Sequence, residues 1–262
     1  MNGYGEFGTW IVAFALSATR ITGALLMCPA FAEGMISGLA RRLVILSFSF
    51  LVVPAVMQGM PLEGLPWATL AVVAAKEALI GFVIGFFSAI PFYVAENVGN
   101  LIDNQRGATM GEVYSPLSGT QVSTTGIFFT QIVSTVFFVS GAVLLLLGAL
   151  YSSYTIWPVL GDGVAIHPQA PQQILGTLDG MLKTTVVISA PVVILMFLAT
   201  IGLGFVNRTA PQLNVFFLSM PVKSALGIVM LIIYLPFIMD MLMYTKEGDI
   251  LGPVRLLIGG AS

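Results

Sequence analysis

Apolar residues along the chain fall into six long runs, near 7–32, 43–60, 67–98, 126–151, 178–205 and 222–244. Each is at least about as long as the 20 apolar residues that carry a helix across a hydrocarbon core. No Asp, Glu, Lys or Arg occurs in 43–62, 113–161 or 184–207. The pattern predicts an all-α integral membrane protein with about six apolar helices. Pro54, Pro91, Pro191 and Pro236 lie inside these runs. Each removes a backbone hydrogen bond, so kinked or broken helical hairpins are expected.

Composition sharpens this picture. The chain is 57% hydrophobic and only 8% charged, against about 25% charged residues in soluble domains. Lipid or other protein must therefore cover its outer faces. Positive charge also marks the connections: 33–42, 99–125 and 206–223 hold Arg41, Arg42, Arg106, Arg208 and Lys223, whereas 58–66 and 152–173 hold no Lys or Arg. The positive-inside rule puts both termini outside, a bias that Lys246 and Arg255 weaken. Arg20 interrupts the first run and no Lys or Arg precedes it, so the run is read as a retained helix and not a signal peptide.

The third run carries a polar stripe. Glu77, Gly81, Gly85, Ala89, Phe92, Glu96, Asn100 and Asp103 recur at three- to four-residue steps, which places them on one helix face, with Lys76 beside it. Gly81 and Gly85 let another backbone approach closely. A charge at the centre of a membrane is unfavourable by at least about 2.5 kcal/mol, so this face meets protein or water. A helix–helix seam with buried ion pairs and a pathway-lining face both fit.

Little enzymatic chemistry is visible. The single histidine, His167, lies in the Pro-flanked loop "AIHPQAP", and no HExxH, G-x-S-x-G or P-loop pattern occurs. The lone Cys28 excludes an internal disulfide and a Cys-rich metal site. A net charge of −2 without a basic tract argues against nucleic acid as a partner. The expectation is a non-enzyme with no cofactor and no metal.

The most polar, bend-prone sequence is "DNQRGATMGEVYSPLSGTQ", residues 103–121, between two apolar runs. Gly107, Gly111, Gly119 and Pro116 permit or impose bends. Irregular backbone at membrane depth is tolerated only inside protein or beside water. Read without context, the stretch is a surface loop with ordinary turn chemistry. In context, "GNLIDNQRGATMGEVYSPLSGTQVSTTG", "AAKEALIGFVIGF" and "GFVNRTAPQLNVFFLSMPVKSALG" together resemble the export-gate subunit of type III secretion systems, the family of flagellar FliR and injectisome SctT proteins. The Asp-Asn-Gln-Arg run is closer to the injectisome branch.

The resemblance implies a subunit of a helical export gate in the bacterial inner (cytoplasmic) membrane, passing unfolded secretion substrates. Its implied partners are SctR-like and SctS-like subunits, with SctU-like and SctV-like proteins and membrane lipid around them. It implies an SctR-like four-helix half over 1–173 and an SctS-like hairpin with tail over 174–262, with hairpins raised toward the periplasmic side. It also implies a pore plug made of Arg106, Gly107, Ala108, Thr109, Met110, Gly111, Glu112, Val113, Tyr114, Ser115, Pro116, Leu117, Ser118, Gly119, Thr120 and Gln121. Small side chains such as Ala108, Ser115, Ser118 and Thr120 pack across a narrow bore, while Arg106 and Glu112 are placed to pair with partner charges. Lys76, Glu77, Gly81, Gly85, Glu96 and Asp103 are expected at buried polar or subunit contacts. Asn207, Arg208, Pro211 and Asn214 are expected to hold a bend between the last two helices. The rival reading is a secondary transporter with 103–125 as a re-entrant loop and Glu77 or Asp240 as an ion site. The chain shows none of the internal repeats common in such proteins.

Overall fold

The computed structural model describes residues 3–32, 34–57, 66–107, 123–161, 168, 170–210, 212 and 215–249. Regular structure among them is entirely helical: α1 (Gly3–Met27), α2 (Gly38–Met57), α3 (Trp67–Arg106), α4 (Thr124–Val139), α5 (Ala142–Ile156), α6 (Ala170–Thr209) and α7 (Val215–Asp249), with one 3₁₀ turn at Pro29–Phe31. Five of these helices are long and apolar enough to cross a membrane, or six spans if α4 and α5 count as one bent pair. Hydroxyls inside the apolar helices bond back to the preceding turn. Ser17 donates to the Ala13 carbonyl, Ser88 to Ile84 and Thr200 to Met196. Such side chains satisfy themselves without water.

Three boundaries depart from the apolar pattern. α1 ends at Met27, because Cys28 precedes Pro29 and takes an extended backbone with φ −88° and ψ 112°. α3 runs on to Arg106, so residues 103–106 belong to a helix and not to the connection 103–125 expected from sequence. Gly107 ends it with φ +79°, a left-handed conformation glycine adopts without strain. The fourth apolar run is not one helix: α4 and α5 meet at 72°. Gly141 sits at that break with φ +73°, its N–H donates to the Phe138 carbonyl, and its own carbonyl accepts from Leu144 N–H. Apolar content, which marked the run as continuous, carries no information about this turn.

The chain forms two compact units. The first gathers the residues up to Ile90 and Val136–Ile174. Its core joins Leu16, Ile21 and Leu25 of α1, Val53 of α2, Ile84 of α3 and Leu150 of α5, all buried. The seam between α1 and α3 is set by glycines. A Cβ at Gly81 would overlap the Arg20 carbonyl, one at Gly85 would overlap the Ala24 carbonyl, and one at Gly23 would lie 2.7 Å from the Ala78 carbonyl oxygen. These glycines let the two backbones touch. The second unit gathers Pro91–Thr135 and Leu175–Glu247. Phe92, Val98 and Ile102 of α3, Phe129 and Val133 of α4, and Ile188, Val192 and Met196 of α6 are buried in it.

Candidate functional site

In the first unit, α1 and α3 bring two opposite charges together at the glycine seam. Arg20 and Glu77 are both fully buried. The guanidinium donates from Nε to Oε2 at 2.6 Å and from Nη2 to Oε1 at 2.9 Å, a bidentate pair. Its remaining donors reach α5, with Nη1 bonding Ser153 Oγ at 2.9 Å and Nη2 bonding the Trp157 carbonyl at 2.8 Å. The guanidinium carbon also sits 4.0 Å from the Tyr154 ring centroid, and the Tyr154 hydroxyl donates to the Ser17 carbonyl. Lys76 extends the group by donating to the Pro158 and Val159 carbonyls at 3.1 and 2.6 Å, with its Nζ 3.7 Å from Glu77 Oε1. Two cations thus hold three consecutive carbonyls just past the C-terminus of α5, where the helix dipole favours positive charge. Every charge in the cluster is paired, as burial in low dielectric requires.

Beside it lies a cavity of about 630 Å³ between α2 and α5, lined by apolar side chains such as Leu51, Val52 and Val56. Its side-chain polar groups are the hydroxyls of Tyr151, Tyr154 and Thr155. Such a lining offers packing and hydrogen bonding and no carboxylate or imidazole for acid–base work.

In the second unit, the end of α3 and the start of α4 meet at Asp103. Asp103 is 1% exposed. It accepts hydrogen bonds from Ser123 Oγ at 2.7 Å, Thr125 N–H at 3.0 Å and Thr125 Oγ1 at 2.6 Å, and pairs with Arg106 Nη2 at 2.8 Å. Ser123 in turn accepts the Gly126 N–H at 2.9 Å. The first N–H groups of α4, which have no partner within their own helix, are therefore capped from two sides. Gly99 and Gly126 bring the α3 and α4 backbones into direct contact at this point, because a Cβ on Gly99 would overlap Gly126. Arg106 also reaches Thr125 Oγ1 at 3.3 Å.

Of the plug residues expected from sequence, Arg106 and Gly107 lie at this base. Ala108 through Gln121 lie outside the described residues, as do Pro211 and Asn214. Lys76, Glu77, Gly81 and Gly85 all fall in the charge cluster and its seam. Glu96 departs from the buried stripe and is exposed, as are Asn207 and Arg208 at the end of α6. Among the described residues no group of three or more His, Cys, Asp or Glu side chains is placed to hold a metal ion.

The sequence pattern fits the family described as "Bacterial export proteins, family 1" over residues 11–247. The chain belongs to this family. The export protein is 36% identical over 251 residues to the "Yop proteins translocation protein T" of Yersinia pestis, covering 95% of each chain. It is 34% identical over 247 residues to the "Secretion system apparatus protein SsaT" of Salmonella typhimurium, covering 93% of this chain and 94% of the relative. The "Flagellar biosynthetic protein FliR" of Bacillus subtilis matches at 34% over 166 residues, 61% of this chain and 62% of the relative. With its apolar helices, the export protein is a multi-pass membrane protein.

Several residues at these sites escape a reading of the sequence. Arg20 looks like an interruption of the first apolar run, yet it is the partner of Glu77. The usable signal was that a charge deep in an apolar run needs an opposite one, and the third run supplies a carboxylate. Ser153, Tyr154 and Trp157 give no such signal, because their roles depend on where α5 ends. Ser123 was legible in principle as a hydroxyl preceding the apolar run of α4.

Proposed function

We propose that the export protein is a core, non-enzymatic subunit of a type III secretion export gate of the injectisome branch. In this reading it helps form and seal the conduit through which unfolded substrate proteins cross the bacterial inner membrane. Its partners are SctR-like and SctS-like subunits, joined by SctU-like and SctV-like proteins. Residues 106–121 act as the seal, Glu96 contacts a neighbouring subunit, and Asn207, Arg208, Pro211 and Asn214 hold the bend before α7.

The observation that carries this reading is end-to-end agreement with secretion-system relatives, over 95% of the chain in the case of the Yersinia protein. A physical feature supports the multi-subunit part. Along α6, Leu175, Leu178, Leu182, Val186, Ile194, Phe197, Ile201 and Phe205 are exposed at helical spacing. That stripe is about 45 Å long at 1.5 Å per residue. A bilayer core of about 30 Å covers only about 39 Å of helix even at a 40° tilt. Apolar surface beyond that length needs protein around it, and unlike subunits of the same assembly would supply it.

Purification through a tag on this chain, in mild detergent, tests the proposal. A gate subunit brings unlike membrane subunits with it in fixed ratio, identifiable by mass spectrometry of the intact complex. A chain that runs alone, or as a small oligomer of itself, contradicts the proposal.

A further inference from the structure

The donors on the Asp103 carboxylate come from both sides of the polar stretch in sequence: Arg106 before it, Ser123 and Thr125 after it. We propose that Asp103 is a positioning residue that pins the two ends of residues 107–122 to each other, so that the sealing stretch is held on a fixed base. This inference rests on the sealing role proposed above and adds to it the group that holds the stretch in place.

Three features support it. A carboxylate has about four acceptor positions, and Asp103 fills them with one cation and three further donors. Charge-assisted bonds of this kind are about twice as strong as neutral ones. Next, α4 does not need Asp103 merely to have a cap, because Ser123 already accepts the Gly126 N–H. What the carboxylate adds is a grip from α3, reinforced where Gly99 and Gly126 bring the backbones together. Finally, closing a segment of this length carries an entropic penalty that grows with length. The contacts at its base contribute to offsetting that penalty.

Asp103→Asn is the informative change. Its amide presents donor hydrogens where Ser123 or Thr125 already donates, and it leaves Arg106 without a counter-charge. The measurement is potassium efflux from proteoliposomes holding the complex purified through a tag on this chain. For D103N we expect complex yield near that of the unaltered chain and efflux raised about tenfold, equivalent to about 1.4 kcal/mol in the equilibrium of the base. T125S, which keeps the hydroxyl, should match the unaltered chain; T125V should leak. Combined with deletion of 108–119, D103N should add nothing to the leak of the deletion alone. A lesion that merely loosened the fold would add to it.

A tight D103N complex beside a leaking deletion would overturn the positioning role and leave the sealing role standing. Additive leaks would overturn it as well. A tight deletion complex would overturn the sealing role itself, and the positioning role with it. If D103N lowers yield, T125V decides, and a tight T125V complex counts against the inference.

Discussion

Arg20 and Glu77 form a bidentate ion pair at 2.6 and 2.9 Å with neither side chain exposed to solvent. The pair joins α1 to α3, and the free guanidinium donors join both to the end of α5. Removing Glu77 strands the buried Arg20 charge, and removing Arg20 leaves Glu77 only the more distant Lys76 at 3.7 Å. Arg20→Leu or Glu77→Leu should each destabilise the chain by about 3–5 kcal/mol. The double variant R20L/E77L should recover part of that loss, since it buries no unpaired charge. Thermal stability of the purified complex, compared across the three variants, checks this.

The glycine seam makes a sharper steric prediction. At Gly81 a side chain meets the Arg20 backbone, which has no rotamer to move. Gly81→Leu should force α1 and α3 apart and abolish recovery of the complex. Gly148→Ala, on a face of α5 with no atom within 4 Å, is the control and should leave yield unchanged. Normal yield from G81L would show that the seam gives way.

Gly107 ends α3 in a left-handed conformation, and a Cβ there would lie 3.7 Å from the nearest side-chain atoms of Met220. Space is thus adequate, and backbone strain alone opposes a side chain. Gly107→Ala should lower stability by about 1 kcal/mol. Gly107→Asn, a residue more tolerant of this region, should be milder. Thermal unfolding of the two variant complexes checks the order, and equal losses from both would point to crowding instead of strain.

Cys28, just past α1, is 1% exposed, and burial pushes its thiol up to about 12 from an ordinary 9.0. Burial disfavours the thiolate, the reactive form. Raising the pH from 7 to 9 ionises an ordinary thiol extensively and this one hardly at all. Maleimide labelling of the native complex should therefore stay near zero across that range and become complete only after denaturation in detergent. Native labelling that climbs steeply by pH 9 would contradict the burial.

The helical class and the membrane setting were legible because apolar runs of this length have few other uses. Gly81 and Gly85 were legible as a seam for a similar reason: small residues four apart on a helix serve close approach. Hidden from the sequence was the break at Ser140–Gly141, since a glycine inside an apolar run reads equally well as a packing residue or a turn. The partnership of Arg20 with Ser153 and Trp157 was hidden too, because it spans 133 and 137 positions and depends on the path of α5. Asp103 was visible both as the last member of the α3 polar stripe and as the first residue of the polar connection, because hydrophobic periodicity fades before the helix does. The carboxylate is helical, and its role comes from what lies across from it.

The most direct test of the account is photo-crosslinking in intact cells, with a photoreactive residue at Leu175, Phe197 or Phe205 in the exposed stripe of α6. Adducts to an unlike membrane protein at one end of the stripe at least, Leu175 or Phe205, are the predicted result, because the apolar stripe outruns the bilayer and its excess length needs protein cover. Adducts to lipid alone along the whole stripe would contradict the claim that this chain is built into a multi-subunit export assembly.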